Sequence, residues 1–341
     1  MNDKNKIIGK NIRDLRQNKQ FTQKELADKL GVCTSTIGNY ERGIRKVPEP
    51  ILSKISDLFD VDGNYITDTD SLEKHSNIKI DGISEKREIN WSIYYIIKLT
   101  EDIKNSIRDN LNEICQGPDP IDDSYINTAR EFVNRCKTSD KNRVMGMIGE
   151  FLVHLILLKY HNFLPASIMF NLEEKSFKKG YDILLYKSID KSLWITEVKS
   201  GIVPNKKTAN NKLGALIDRA KNDLNGRLNN NEEKSELWMN AYNHAQKAVE
   251  ESNNERAMIL KLIKKDYKKT QQDTVNSIDD NVILSSVLFH PLIERATETV
   301  VKDKQQKYKT DKLFKNVIII AIQEDTCDGI LNFLKDEVKN G

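Results

Sequence analysis

Two apolar runs in the middle of the chain carry charges where a buried strand has little room for them. Tyr181-Asp-Ile-Leu-Leu-Tyr186 holds Asp182, and Leu193-Trp-Ile-Thr-Glu-Val-Lys-Ser-Gly201 holds Glu197 and Lys199. Successive strand residues alternate faces, so Glu197 and Lys199 project together while Val198 packs behind. Charged groups in otherwise apolar strands are costly unless they bind something. Two carboxylates converging on one point make a hard-oxygen site suited to Mg2+, with Mn2+ as a substitute. A neighbouring ammonium orients or helps deprotonate an attacking water and offsets phosphate charge. The acid–x–Lys tripeptide alone means little in so charged a chain: Asp102-Ile-Lys104, Glu173-Glu-Lys175, Glu232-Glu-Lys234 and Glu337-Val-Lys339 also match it. Only Glu197-Val-Lys199 ends a β-branched, aromatic-rich strand preceded by an acid-bearing strand and a Gly180 turn.

Residues 6–60 read differently, as consecutive short helices. Ile8, Ile12 and Leu15 share a face at helical spacing. Thr22 stands three residues before Glu25, a capping box opening Gln23–Leu30, and Gly31 closes that helix. A second short helix is expected from Thr34 to Glu41 and a third after Pro48 and Pro50. Residues 62–90 are turn-rich and are expected to hold the domain boundary. Trp91 to Cys115 suits a helix, although Ile93 to Ile97 suits a strand equally. Ala129 to Tyr160 reads as helical with a break near Thr138-Ser139. Strand-like runs follow at Ser167–Leu172, Tyr181–Tyr186, Leu193–Val198, Val282–Phe289 and Val317–Ile322. Lys207 to Leu228 is expected to be helical, and Glu232 to Tyr267 to form one or two exposed helices. The expected domains are 1–66, a linker at 67–90, a helical or mixed connecting segment at 91–128, and a mixed sheet flanked by helices at 129–341.

The string Phe21-Thr-Gln-Lys-Glu-Leu-Ala-Asp-Lys-Leu-Gly-Val-Cys-Thr-Ser-Thr-Ile-Gly-Asn-Tyr-Glu-Arg-Gly43 resembles the helix-turn-helix family of phage repressors and Cro. It has small Ala27 at the helix crossing, Gly31 in the turn, and apolar Leu26, Val32 and Ile37 holding the pair together. In that family the second helix enters the major groove. The resemblance implies that Thr34, Ser35 and Asn39 face base edges, that Gln23 bonds a phosphate, and that Arg42 and Arg45 lie near the DNA backbone. Gly38 departs from the pattern and costs about 1 kcal/mol of helix propensity relative to Ala. The bland alternative is a helix-turn-helix used only for protein contacts or dimerisation.

In the second half, the order of acids resembles the PD-(D/E)xK nuclease superfamily, the fold of many restriction endonucleases. That family places a glutamate on the helix before the first core strand, and Met145-Gly-Met-Ile-Gly-Glu150 fits it, with Gly146 and Gly149 letting the helix sit close to the sheet. The family's proline is absent, since Tyr181 precedes Asp182. A narrower resemblance, through Gly149-Glu150, Lys179-Gly180-Tyr-Asp182, Leu193-Trp194 and Glu197-Val-Lys199, is to the nuclease subunit of Hachiman anti-phage systems. The implied class is α+β overall: an all-α helix-turn-helix domain, then an α/β restriction-endonuclease-like domain. Asp182, Glu197 and Glu150 would hold metal, and Lys199 would assist the nucleophile. Against this stands a surface ion-pair set on edge strands.

Charge distribution agrees with a polyanion partner. The net charge is only 54 − 51 = +3, but residues 1–46 carry eleven Lys/Arg against five Asp/Glu, and residues 199–227 seven against two. A solvated charged face gives the same signal. No apolar run approaches the ~20 residues needed to cross a bilayer. Met1 to Lys10 lacks the apolar core of a signal peptide. Cys33, Cys115, Cys136 and Cys327 lack CxxC spacing, so a cytoplasmic protein with reduced thiols and no membrane partner is expected. No ATP-binding loop motif occurs, so an energy-driven system needs a helicase or ATPase partner. The leading reading is a Mg2+-dependent DNA endonuclease of anti-phage defence, dimeric through its N-terminal domain. Its rivals are a transcription regulator with an inert sensing or dimerisation module, and a non-catalytic partner-binding subunit.

Overall fold

The structure, a computed structural model, describes residues 3–18, 21–59, 80–120, 122–138, 140–161, 163–170, 180–188, 190–250, 255–272 and 276–341. The chain divides into two units, Met1–Ile78 and Lys79–Gly341.

The first unit is helical: α1 (Asp3–Asn18), α2 (Gln23–Leu30), α3 (Thr34–Glu41) and α4 (Glu49–Phe59). The capping box forms as expected. Thr22 Oγ1 accepts from the Glu25 amide at 3.2 Å, and Glu25 accepts from the Thr22 amide at 2.7 Å. Gly31 ends α2 at φ 69°, in the left-handed region that glycine enters freely. Ile12, Leu26, Leu30, Ile37 and Ile55 form the centre of a small core. Gly9 allows α1 to cross α3, since a Cβ there would stand 2.1 Å from the Tyr40 carbonyl oxygen. α3 runs unbroken through Gly38.

The second unit is built on a seven-stranded sheet. In chain order its elements are β1 (Ile83–Glu88), β2 (Trp91–Ile96), α5 (Glu101–Gln116), α6 (Tyr125–Arg135), α7 (Lys141–Tyr160), β3 (Leu164–Pro165), β4 (Ile183–Lys187), β5 (Ser192–Ile202), α8 (Ala209–Leu228), α9 (Asn231–Ala248), α10 (Arg256–Thr270), β6 (Asn281–Phe289), α11 (Glu298–Asp311), β7 (Asn316–Glu324) and α12 (Asp328–Asn340). Strand order is β1-β2-β7-β6-β5-β4-β3. The centre, β2-β7-β6-β5, is parallel, and β1, β4 and β3 run antiparallel to their neighbours. β6 is buried along its whole length, as a parallel strand covered on both faces must be, and so reads as a nearly continuous apolar run. Phe132, Phe151 and Leu334 bring α6, α7 and α12 against one face; Leu213, Ile217, Trp238 and Ile259 bring α8, α9 and α10 against the other. The protein is therefore α+β, with a helical N-terminal region and a mixed sheet flanked by helices.

Several boundaries differ from the sequence reading. Residues 67–79 of the expected linker lie outside the described residues, but Ile83–Glu88 is a strand of the sheet. The expected connecting segment belongs to the same unit: Trp91–Ile96 pairs with β7, and Thr100 then caps α5. The aromatic and β-branched content of Trp91–Ile96 favours the pleated surface. The run Ser167–Leu172 is not a strand over 167–170; Met169 and Phe170 instead donate to the carbonyls of Ile114 and Cys115 at the end of α5, at 2.8 and 2.9 Å. Residues 171–172 lie outside the described residues. α9 and α10 are not merely exposed, since they bury Trp238, Ala245 and Ile263.

At the end of β7, Glu324 is buried, with no hydrogen-bond partner for its Oε2 among the described residues. Burial, reinforced by Asp325, pushes its carboxyl up to about 8. A carboxyl raised above its unfolded value of 4.5 binds a proton more tightly in the fold, so stability is lost as pH rises from that value towards 8. Between about pH 6 and pH 8 the second unit should lose about 2 kcal/mol through this group. Glu324→Gln should flatten that slope in urea titrations; an unchanged slope would assign it to other groups.

Candidate functional site

The helix-turn-helix surface is organised by a buried acid. Glu41, at the end of α3, accepts from Arg16 Nε at 2.5 Å and Nη2 at 3.1 Å, and from Gln23 Nε2 at 2.8 Å. Burial works against the charged form, but the bonds from Arg16 and Gln23 outweigh it and hold the Glu41 carboxyl below the usual range. Thr34 and Ser35 are exposed on the first turn of α3. Asn39 accepts from Arg42 Nη2 at 3.0 Å through its carboxamide oxygen, so its amide nitrogen is the atom available to donate to a base. Arg42 also donates to the Gly38 carbonyl at 3.0 Å, and the Arg45 guanidinium lies 5.9 Å from the Tyr40 ring centre. Gln23, expected on a phosphate, gives one of its two amide hydrogens to Glu41 and so ties α2 to α3. Asn39→Ala should relax sequence preference, whereas Gln23→Ala should weaken binding to all duplexes alike. Gel-shift competition across randomised duplexes tests both; an unchanged preferred sequence in Asn39→Ala would remove α3 from the major groove.

In the second unit the acids are placed by one strand outrunning another. β4 pairs with β5 only from Ser192 to Thr196, whereas β6 follows β5 to Ile202. Beyond Thr196, no described strand covers that edge of β5. Asp182 sits at this step and accepts from the Val198 amide at 2.7 Å, so its carboxylate closes the start of the uncovered edge. Along the edge runs a cleft of about 710 Å³. Glu150 of α7, Asp182, Lys199 and Ser200 line it, joined by the cations Arg135, Arg143, Lys212 and Arg219. Gly149 seats α7 against the strand: a Cβ there would fall 1.9 Å from Ser200 Oγ. Gly146, expected to do the same, meets nothing within 4 Å and lines the cleft instead.

Glu197 does not join Glu150 and Asp182. As the alternation requires, it shares a face with Lys199, towards α8, while Val198 and Ser200 turn towards α7. Only 2% of Glu197 is exposed, and both its oxygens are engaged, Oε1 by Lys199 Nζ at 2.7 Å and Oε2 by Arg227 of α8. Lys199 also meets Asp223 at 2.9 Å. Among the described residues no three His, Cys, Asp or Glu side chains gather to hold a metal ion. The donor set as it stands does not fit a divalent cation: two carboxylates line the cleft, and the third is neutralised away from it.

The residues that the sequence reading left unnamed are cations: Arg135, Arg143, Lys212 and Arg219 in the cleft, and Arg227 behind it. Three of these five lie in the basic stretch 199–227, which was the available signal. Burial pulls the Lys212 ammonium below its usual value, and the nearby charges of Arg219 and Lys207 add to the shift. Like charges gathered this way are relieved by a bound anion. His154 is buried in α7, away from any ligand cluster among the described residues.

A helix-turn-helix unit joined to a mixed sheet with an acid- and cation-lined cleft defines a nucleic-acid-directed protein class. Residues 68–337 match the HamA family, the Hachiman-associated nuclease-like family, and residues 12–66 match a helix-turn-helix family. The chain belongs to the HamA family, with a helix-turn-helix domain at its N-terminus. The N-terminal region is 36% identical over 67 residues to the HTH-type transcriptional regulator ImmR of Bacillus subtilis (strain 168), covering 20% of this chain and 53% of ImmR. It is 35% identical over 101 residues to the HTH-type regulator YobD of the same organism, covering 28% of this chain and 86% of YobD. The chain thus spans about half the length of ImmR. The restriction-modification controller protein C.AhdI of Aeromonas hydrophila aligns at 31% identity over 19% of this chain and 96% of its own, with a TM-score of 0.18. No described helix is long and apolar enough to cross a membrane.

Proposed function

We propose that this protein is a DNA endonuclease of anti-phage defence, in which the HamA unit hydrolyses phosphodiesters and the helix-turn-helix unit targets DNA or represses its own promoter. The observation that carries the reading is the cleft itself. Five cations (Arg135, Arg143, Lys199, Lys212 and Arg219) surround two carboxylates, Glu150 and Asp182, along an uncovered strand edge. A DNA backbone supplies the anion this arrangement needs, and its affinity should fall steeply with salt. Lys199, touching both the cleft and Glu197, is the group placed to offset charge growing on a phosphate as water adds and the P–O bond breaks. Mg2+, with Mn2+ as substitute, is the cofactor that the nuclease resemblance implies, and the donor set as arranged does not fit it. A helicase or ATPase partner and a homodimer through the first unit complete the proposal.

The second reading, a regulator with an inert HamA unit, is favoured by one observation, the neutralised state of Glu197. Incubating supercoiled plasmid with the full chain in Mg2+, Mn2+ or EDTA, with and without the cognate partner, separates the two. Nicking of the supercoiled form is the expected result. Intact plasmid under every condition would leave the regulator reading standing.

A further inference from the structure

We propose that Arg227 is the built-in counter-cation of Glu197, a latch that competes with any divalent metal for that carboxylate. Arg219, Asp223 and Arg227 recur every fourth residue on α8 and so share one side of the helix, beside β5. Arg227 Nη2 bonds Glu197 Oε2, while Nη1 donates to the Gly180 carbonyl at 3.4 Å. The guanidinium thus bridges the acid on β5 and the turn leading to Asp182, the two segments that carry the site's carboxylates. Lys199 holds Glu197 Oε1 at 2.7 Å and Asp223 at 2.9 Å, and Arg219 meets Asp223 at 3.6 Å, so three bases stand against two acids. A dication meeting this net positive set is repelled; with Arg227 removed it meets a balanced set in which one oxygen of Glu197 is released. Truncating one member of a buried pair also leaves its partner in need of a new counter-ion. The mismatch between the acids of the sequence and the missing metal-ligand cluster then has a structural origin: one of the carboxylates is already occupied.

The proposal rests on the nuclease reading only for its consequence in cleavage, so metal binding is measured separately. Mn2+ is titrated calorimetrically into the full chain, the Arg227→Gln variant, and Arg227→Gln combined with Glu197→Gln. Arg227→Gln is expected to bind Mn2+ at least tenfold more tightly than the parent, and Glu197→Gln to cancel the gain. Arg227→Lys, which keeps charge but loses the fork, should bind between the two; it decides the matter if Arg227→Gln does not fold. Equal isotherms for parent and variants, or a gain that survives Glu197→Gln, would overturn the latch. Plasmid cleavage is followed in parallel. Tighter Mn2+ binding without cleavage supports the latch while the nuclease reading fails; cleavage by the variants with unchanged Mn2+ binding overturns the latch alone.

Discussion

Lys199→Ala is expected to slow DNA cleavage about a hundredfold or more while the protein stays folded. The magnitude follows from position. Lys199 lines the cleft and holds Glu197 at 2.7 Å, so its loss removes a charge facing the phosphate and one of the two partners of a buried acid. Arg227 remains on Glu197, which limits the structural damage. Initial rates of plasmid nicking, read beside thermal unfolding curves, separate the two effects. Lys199→Arg should recover part of the rate, since it restores charge without the compact ammonium. Lys212→Ala, which removes only one of several cleft cations, should weaken DNA binding and its salt dependence with a smaller loss of rate. A Lys199→Ala protein that cuts at the parent rate would place the chemistry elsewhere in the unit.

The contrast between Lys199 and Arg227 marks how far the sequence carries. Glu197 and Lys199 were legible as a pair because strand alternation is local, and the apolar run around them identifies the strand. Asp182 was legible for the same reason, and its bond to the Val198 amide sets it at the start of the uncovered edge of β5. Arg227 lies 30 residues from Glu197, on a helix whose rotation about its axis no local pattern specifies. The expected convergence of Glu150 with Glu197 failed on a related point. Glu150 enters the cleft from α7 and Glu197 turns to the α8 side, and a linear order of acids carries no information on which face each occupies. The helix-turn-helix was readable almost throughout, since caps, turn glycine and crossing alanine are all local signals. The bond from Gln23 to Glu41 was not legible, because the two lie 18 residues apart.

The strands tell the same story. Val282–Phe289 and Val317–Ile322 were evident from their β-branched-rich apolar runs, which the structure buries almost throughout. Ile83–Glu88 was hidden because it is an edge strand, and edge strands carry charge that discourages further pairing. Lys86 there meets Glu298 of α11 at 2.6 Å, a tie between segments 212 residues apart.

The largest stability effect should come from a pair outside the cleft. Lys234 of α9 and Asp280, just before β6, meet at 2.7 Å, with side-chain exposures of 4% and 9%. Burial pushes the Asp280 carboxyl up to about 6, while Lys234 pulls the other way. The two therefore carry a desolvation cost that their mutual attraction offsets first, with Lys269 adding to it at Asp280. Lys234→Ala leaves Asp280 buried without its partner and should cost about 3–5 kcal/mol. For a unit of this size that corresponds to a fall in Tm on the order of 10 °C. Removing Lys234 takes away the group that pulls the Asp280 carboxyl down, so in Lys234→Ala it holds its proton to higher pH than in the parent. The cost should therefore be small in acid and grow as pH rises through and above about 6. Replacing both partners together, as Lys234→Met with Asp280→Leu, should restore most of the loss, because two apolar side chains of similar volume need no counter-charge. Urea midpoints for the parent, both single variants and the double variant form a complete cycle. If Lys234→Ala unfolds at the parent midpoint near neutral pH, water reaches Asp280 freely and the pair contributes little to holding α9 on the sheet.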